Sequence, residues 1–185
     1  LGSTFDIQGG GSDLKFPHHE FSAAHAEAAL TVERMARHYV HTGMIGLDGT
    51  KMSKSLGNLV FVHKLVDAGV DPSAIRVGVY AGHYRGDRDW SDEVLATAQE
   101  RLERWRAAAE TPGSLETVQD TVQQVRAALA DDLDTPRVLQ ILDDWAARAT
   151  SAASAEGESA PDAAKQDEAQ KLLRQAVNSL LGVRL

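Results

Sequence analysis

The chain has 185 residues, 43% of them apolar and 25% charged, enough apolar material for one or two packed cores. No apolar run reaches membrane-span length and no signal-peptide pattern opens the chain, so a cytoplasmic protein is expected rather than a membrane or secreted one. A net charge of −8 argues against a generic nucleic-acid coat, and with no cysteine the chain cannot form a disulfide.

Leu1-Gly2-Ser3-Thr4 runs straight into Phe5-Asp6-Ile7, which reads as a short buried strand. An opening in mid-motif leads to the expectation that this is the C-terminal part of a longer protein. Gly9-Gly10-Gly11 follows, where bare main chain can approach a ligand closely. After Pro17 a helix is predicted from about His18 to His38, with Phe21, Ala24, Ala28, Val32, Met35 and Tyr39 as its apolar stripe. Tyr39 to Leu47 has strand character, and Asp48-Gly49 signals a hairpin-like turn. Val60 to Ala68 reads as a short helix closed by Gly69.

Asp71-Pro72 is an N-cap followed by proline at the first helical position. Ser91 starts a long helix to about Glu110, Ser114 another to about Ala130, and Asp134-Thr135-Pro136 a third to about Ala149. Residues 150–164, rich in Ala, Ser, Glu and Pro, read as a mobile connection before a last helix to about Leu181. The pattern predicts an α/β part over residues 1–90 and a helical bundle over 91–185. Trp90, Trp105 and Trp145 are expected as anchors of the core. Arg101, Glu103, Arg104 and Arg106 read as the polar face of a helix. Arg76, His83, Arg85 and Arg88 make a basic cluster that fits a solvated face as well as a polar ligand.

The segment that folding explains least is Lys51-Met52-Ser53-Lys54-Ser55-Leu56-Gly57-Asn58. Its lysines and serines suit a loop that presents cations and hydroxyls to a polyphosphate, stabilising charge that builds on a leaving pyrophosphate. Lys54 is the expected principal cation, Lys51 the second, with Ser53 and Ser55 beside them. Gly9, Gly10, Gly11, Ser12 and Asp13 offer a flat main-chain surface and a carboxylate able to accept from both ribose hydroxyls. They also suit a plain strand-to-helix turn with Asp13 as its cap. In Pro17-His18-His19-Glu20, neighbouring histidines diverge by about 100° on a helix and do not chelate one ion together. His18 and Ser22 share a face; His25 lies roughly 10 Å further along the axis. A metal here would take one strong ligand from this chain and the rest from outside it.

Gly9 to Glu20, followed by Lys51 to Ser55, resembles the C-terminal catalytic half of cysteinyl-tRNA synthetases and their relatives. The resemblance covers about residues 1–145, including Asp132-Leu133-Asp134-Thr135-Pro136. It implies an α/β fold, the C-terminal part of a class I synthetase-type Rossmann nucleotide-binding domain, followed by an α-helical bundle. It implies that residues 51–58 bind ATP phosphates, that the Gly9–Asp13 segment binds the adenosine moiety, and that Ile45 touches adenine. It further implies one zinc ion that holds the substrate cysteine, with His18 as a ligand, two cysteines upstream of this chain, and a glutamate four residues after the histidine.

That last position is Ser22 here, a poor zinc ligand beside a carboxylate. Phe21 to Ala28 is instead similar to the cysteine ligases of mycothiol biosynthesis, the relatives that pass cysteine to an amino sugar rather than to tRNA. This resemblance implies an ATP-dependent ligase that forms cysteinyl-adenylate and transfers the cysteine to the amine of glucosaminyl-inositol, releasing AMP and pyrophosphate. Its implied partners are the N-terminal half of the same protein, ATP with magnesium, L-cysteine and glucosaminyl-inositol, with no tRNA and no membrane. A cysteinyl-tRNA synthetase and a non-catalytic synthetase-derived binding module remain the alternatives.

Overall fold

The computed structural model describes residue 2, residues 4–154 and residues 163–185. Two compact units make up the chain: Leu1–Asn58 with Tyr84–Asp89, and Leu59–His83 with Trp90–Leu185.

The first unit is built on one parallel pair. Strand β1 (Phe5–Gly11) lies beside β2 (Ala36–Thr42), in register from Phe5 opposite Ala36 to Gly11 opposite Thr42. Parallel neighbours need a crossover. Here it consists of a tight turn at Ser12–Leu14, a wide turn at Lys15–His19 kinked at Phe16, and helix α1 (Glu20–Leu30). The Glu27 side chain accepts from the Met35 N–H at 2.9 Å and so ties α1 to the start of β2.

Several expectations for this region are corrected. The helix expected over residues 18–38 ends at Leu30, because Thr31 turns left-handed at φ +52° and the ladder with β1 captures the chain from Ala36. Tyr39, Val40 and Thr42 favour such a pleated surface. The stripe proposed for that helix is not packed: α1 has no buried residue among those described, and of the six stripe residues only Met35 is buried. Nor is β1 a buried strand of three residues. It extends through the glycine triplet, and Ile7 is 62% exposed.

The expected strand from Tyr39 to Leu47 breaks in two, β2 and β3 (Ile45–Leu47). Gly43 sits at the break, where a Cβ would collide with the carbonyl of Gly86 and the amide of Asp87. Asp48 (φ +49°) and Gly49 (φ +76°) then form the tight turn predicted from their sequence and lead into β4 (Thr50–Lys51), antiparallel to β3. With β5 (Arg88–Trp90) these strands order as β4-β3-β5.

The second unit is helical: α2 (Val62–Asp67), α3 (Pro72–Tyr80), α4 (Asp92–Glu110), α5 (Leu115–Ala130), α6 (Thr135–Ser154) and α7 (Ala163–Leu181). Its starts follow the capping chemistry of the sequence. Asp71 accepts from Ser73 N–H at 2.7 Å, Ser91 from Val94 N–H at 3.2 Å and Ser114 from Thr117 N–H at 3.2 Å. Helix α6 continues five residues beyond Ala149, so residues 150–154 of the expected connection are helical; residues 155–162 of it lie outside those described.

Trp105 and Trp145 are fully buried among Leu102, Leu139, Leu142 and Leu173, and Trp90 is buried as well. The indole of Trp145 donates to the Pro112 carbonyl (3.0 Å). That of Trp105 donates to Asp143 (2.8 Å), which also accepts from Arg101 at 2.8 Å. Arg101 and Arg106 are therefore half-buried ion-pair donors rather than members of a purely solvated face, since Arg106 lies 2.7 Å from Asp71. No helix among the described residues is long and apolar enough to cross a membrane.

Asp71 couples this unit to pH. Partial burial works to raise its carboxyl, but the Ser73 N–H and the Arg106 guanidinium outweigh it and hold the group below the usual carboxylate range. Its contribution is complete above the unfolded value of about 3.9 and is lost as pH falls through the lower folded value. Asp71→Ala is expected to cost about 1 kcal/mol near pH 7. In urea titrations the gap between wild type and variant should shrink below about pH 4; a gap constant across the acid range would contradict the assignment.

Candidate functional site

Several of the candidate residues, Gly9–Gly11, Asp13 and Lys51, lie at one end of the β1–β2 ladder in the first unit. Gly9, Gly10 and Gly11 are the last residues of β1, opposite Val40, His41 and Thr42. Gly10 is required by a close approach: a Cβ there would stand 2.9 Å from the His19 ring and 2.9 Å from the Leu14 side chain. Ser12 and Asp13 form the tight turn just beyond the strand. The Asp13 carboxylate folds back over Gly11, where a Cβ would lie 2.6 Å from its Oδ1 and 3.5 Å from the Met44 sulfur. Gly11 and Leu14 stand at the N-cap positions of the two turns, and neither forms a side-chain cap hydrogen bond.

Ile45 opens β3 one residue after Met44, and its neighbour Gly46 pairs with Lys51 on β4. The register brings Lys51 Nζ to 3.9 Å from Asp13 Oδ2. Both side chains are exposed, at 65% and 48%, so the pair contributes about 0–1 kcal/mol to stability. It marks proximity, and an incoming ribose hydroxyl or phosphate can displace it. Asp87 accepts from Met44 N–H at 2.7 Å and Arg88 N–H donates to the Met44 carbonyl at 3.0 Å, which fixes the backbone that leads into Ile45.

Beyond Lys51 the loop folds on itself. Ser53 Oγ lies 3.1 Å from Ser55 Oγ and accepts from Leu56 N–H at 3.2 Å, while Gly57 N–H donates to the Lys54 carbonyl at 3.2 Å. Lys54 is exposed at the tip of the resulting turn. The members of the basic cluster are each engaged locally. Arg88 donates to the Gly86 carbonyl, Arg85 lies over the Tyr84 ring, His83 contacts the Asp132 carbonyl and Arg76 packs on Gly182.

His18 projects an exposed imidazole from the wide turn before α1. Four residues on, the Ser22 hydroxyl donates to the His18 carbonyl at 2.7 Å. No group of three or more His, Cys, Asp or Glu side chains able to hold a metal occurs among the described residues. The exposed His18 imidazole fits a metal as one ligand of a set that further side chains would have to complete.

Sequence reasoning missed a second feature of that turn. His19 points inward, is buried, and its Nδ1 lies 2.8 Å from His41 Nε2, one ring nitrogen donating to the other. The signal was present. Neighbours on a turn diverge, and His41 shares with Tyr39 the partly buried alternation of β2, while His38 and Val40 face out. Burial first, then repulsion from His19 and Lys15, holds the His41 imidazolium pKa below its ordinary value.

The contribution of the neutral His41 ring is therefore complete above the ordinary histidine value of about 6.5 and is lost as pH falls through its lowered folded value. By ring NMR, His41 should titrate below an unfolded histidine. His19→Ala should move it part of the way back, because the burial contribution remains. A His41 titration at or above the ordinary value would contradict this account.

Residues 1–100 match the family model described as tRNA synthetases class I (C) catalytic domain. Over its whole length the chain is 72% identical to an L-cysteine:1D-myo-inositol 2-amino-2-deoxy-alpha-D-glucopyranoside ligase of Corynebacterium aurimucosum, and it spans 42% of that protein. Among solved structures it is similar to LeuRS of Agrobacterium radiobacter K84 (TM-score 0.69, 15% identity, 96% of this chain and 26% of that one). It is also similar to Mycobacterium tuberculosis methionyl-tRNA synthetase in complex with methionyl-adenylate (TM-score 0.65, 17% identity, 96% of this chain and 42% of that one). The fold is thus of the class I synthetase type, a Rossmann-like α/β part followed by a helical part.

Proposed function

Because the chain belongs to the class I (C) tRNA synthetase catalytic-domain family, we propose that it forms the nucleotide-binding C-terminal part of an ATP-dependent cysteine ligase of mycothiol biosynthesis. The observation that carries the nucleotide role is the approach of Lys51 to Asp13, which sets a cationic loop beside a glycine strand end and a carboxylate. The choice of substrate rests on the likeness to the corynebacterial ligase and on a serine at position 22.

In this reading the main chain of Gly9–Gly11 and Ser12 underlies the nucleoside, Asp13 accepts from the ribose hydroxyls and Ile45 contacts adenine. A carboxylate oxygen of cysteine attacks the α-phosphorus of magnesium-bound ATP, and the bond from that phosphorus to the bridging oxygen breaks. Pyrophosphate leaves with its charge met by Lys54 and Lys51 and by the hydroxyls near Ser53 and Ser55. The amine of glucosaminyl-inositol then attacks the carbonyl carbon of cysteinyl-adenylate. AMP departs, and the nitrogen gives up a proton to solvent.

His18 is the ligand this chain would offer to a zinc ion completed by two cysteines elsewhere in the full-length protein. When bound, zinc supplies selectivity for a thiolate over the harder hydroxyl of serine. The N-terminal half of the protein is the natural cover for Ile7, Phe21, Leu30 and Val40, apolar side chains left exposed among the described residues.

In the full-length protein, cysteine-dependent exchange of pyrophosphate into ATP tests the first half-reaction. Lys54→Ala should lower kcat for exchange by about 10²–10³ and leave the KM for cysteine nearly unchanged; equal loss in both would count against the role. AMP release should follow addition of glucosaminyl-inositol and not of tRNA, and the reverse would assign the protein to tRNA charging. His18→Ala should reduce zinc per protomer measured by elemental analysis, and an unchanged stoichiometry would remove His18 from the ligand set.

A further inference from the structure

Residues 51–58 are held by one side chain that none of the roles above uses. The Asn58 Oδ1 accepts from Ser53 N–H at 2.9 Å, and its Nδ2 donates to the Lys51 carbonyl at 3.2 Å. The two partners differ in kind: an amide N–H only donates and a carbonyl only accepts. A carboxylate in place of Asn58 would serve the first and repel the second, an ammonium the reverse, and a hydroxyl is too short to span both. Within the frame that this amide closes, Ser53 Oγ accepts from Leu56 N–H and lies 3.1 Å from Ser55 Oγ, and the turn 54–57 carries Lys54 at its tip.

We propose that Asn58 is a positioning residue for adenylate formation, a staple between the two ends of the phosphate loop that presents Lys51 and Lys54 in one preset arrangement. The proposal rests on the adenylate-forming reading. Asn58 would touch neither nucleotide nor cysteine. Without it Lys51 loses the bond that fixes its carbonyl, Ser53 loses its N–H acceptor, and the loop spreads over many conformers. Catalysis then falls with the fraction of molecules whose lysines face the leaving phosphates. Binding of cysteine, which does not involve this loop, is untouched. So is global stability, because Asn58 lies outside the buried cores.

The test compares wild-type and Asn58→Ala full-length protein in three measurements. The kcat for cysteine-dependent pyrophosphate exchange should fall about five- to a hundredfold, the range that the loss of two hydrogen bonds is worth. The KM for cysteine should stay within about twofold and the melting temperature should not move. Trypsin, without ATP, should cut after Lys51 and Lys54 several times faster in the variant, read by mass of the fragments. Unchanged cleavage overturns the staple, and faster cleavage with unchanged kcat overturns its role in positioning. A parallel loss of kcat, cysteine KM and melting temperature makes Asn58 merely structural and overturns the proposal as well. If the wild-type protein shows no exchange, the adenylate reading fails on its own, and the cleavage rates still decide whether Asn58 closes the loop.

Discussion

The parallel pairing of β1 with β2 is the constraint on which the site depends. Its register sets Gly9–Gly11 opposite Val40–Thr42 and delivers the chain at Gly43 into β3. From there the tight turn at Asp48-Gly49 reverses the chain, and the two-residue strand β4 brings Lys51 back towards Asp13. A slip of one residue in the ladder would move Gly10 away from the His19 ring, which leaves no room for a side chain, and would turn His41 out of reach of His19. The crossover that parallel pairing requires also carries His18, so the proposed metal donor and the proposed nucleotide surface descend from one local topology.

The two units are stabilised differently. The helical unit has a dry core around Trp105 and Trp145 with both indole N–H groups satisfied, and capped helices whose ends are defined by single side chains. The first unit has few buried residues among those described, with Met35, Ala36 and His19 as examples, and much exposed apolar surface. Chemistry is concentrated on this less packed unit, on loops and strand ends, as expected where side chains must meet a ligand rather than one another.

Much of this was legible because it is local. Asp71, Ser91 and Ser114 announce helices through hydrogen bonds to N–H groups two or three residues on, and Asp48-Gly49 announces its turn through backbone preference. What failed to show was set by distant partners. Strand character was legible from Tyr39 on, but Ala36–His38 reads as the end of a helix, and only pairing with Phe5–Gly11 starts the strand at Ala36. The glycine triplet was read as lying beyond β1 because glycine is poor strand material; the ladder incorporates it all the same. The stripe that starts at Phe21 is real in the sequence, yet its members on α1 stay unburied among the described residues, with the Phe16 ring edge-on to Phe21 as their aromatic neighbour. In the site, the types and spacing of Lys51, Lys54, Gly9–Gly11 and Asp13 pointed to polyphosphate chemistry. The approach of Lys51 to Asp13, the inward turn of His19 and the two hydrogen bonds of Asn58 across its own loop are three-dimensional facts that no periodicity carries.

The central claim is that the end of β1, Asp13 and the loop after β4 form one nucleotide site. A crystal structure of the full-length protein with a non-reactive ATP analogue tests it most directly. The account predicts the ribose hydroxyls within hydrogen-bond reach of the Asp13 carboxylate, the nucleoside against Gly9–Gly11, and the ammonium groups of Lys51 and Lys54 turned to the phosphates with the Lys51–Asp13 contact replaced. A triphosphate bound elsewhere, with that contact intact and Lys54 still facing solvent, would contradict it.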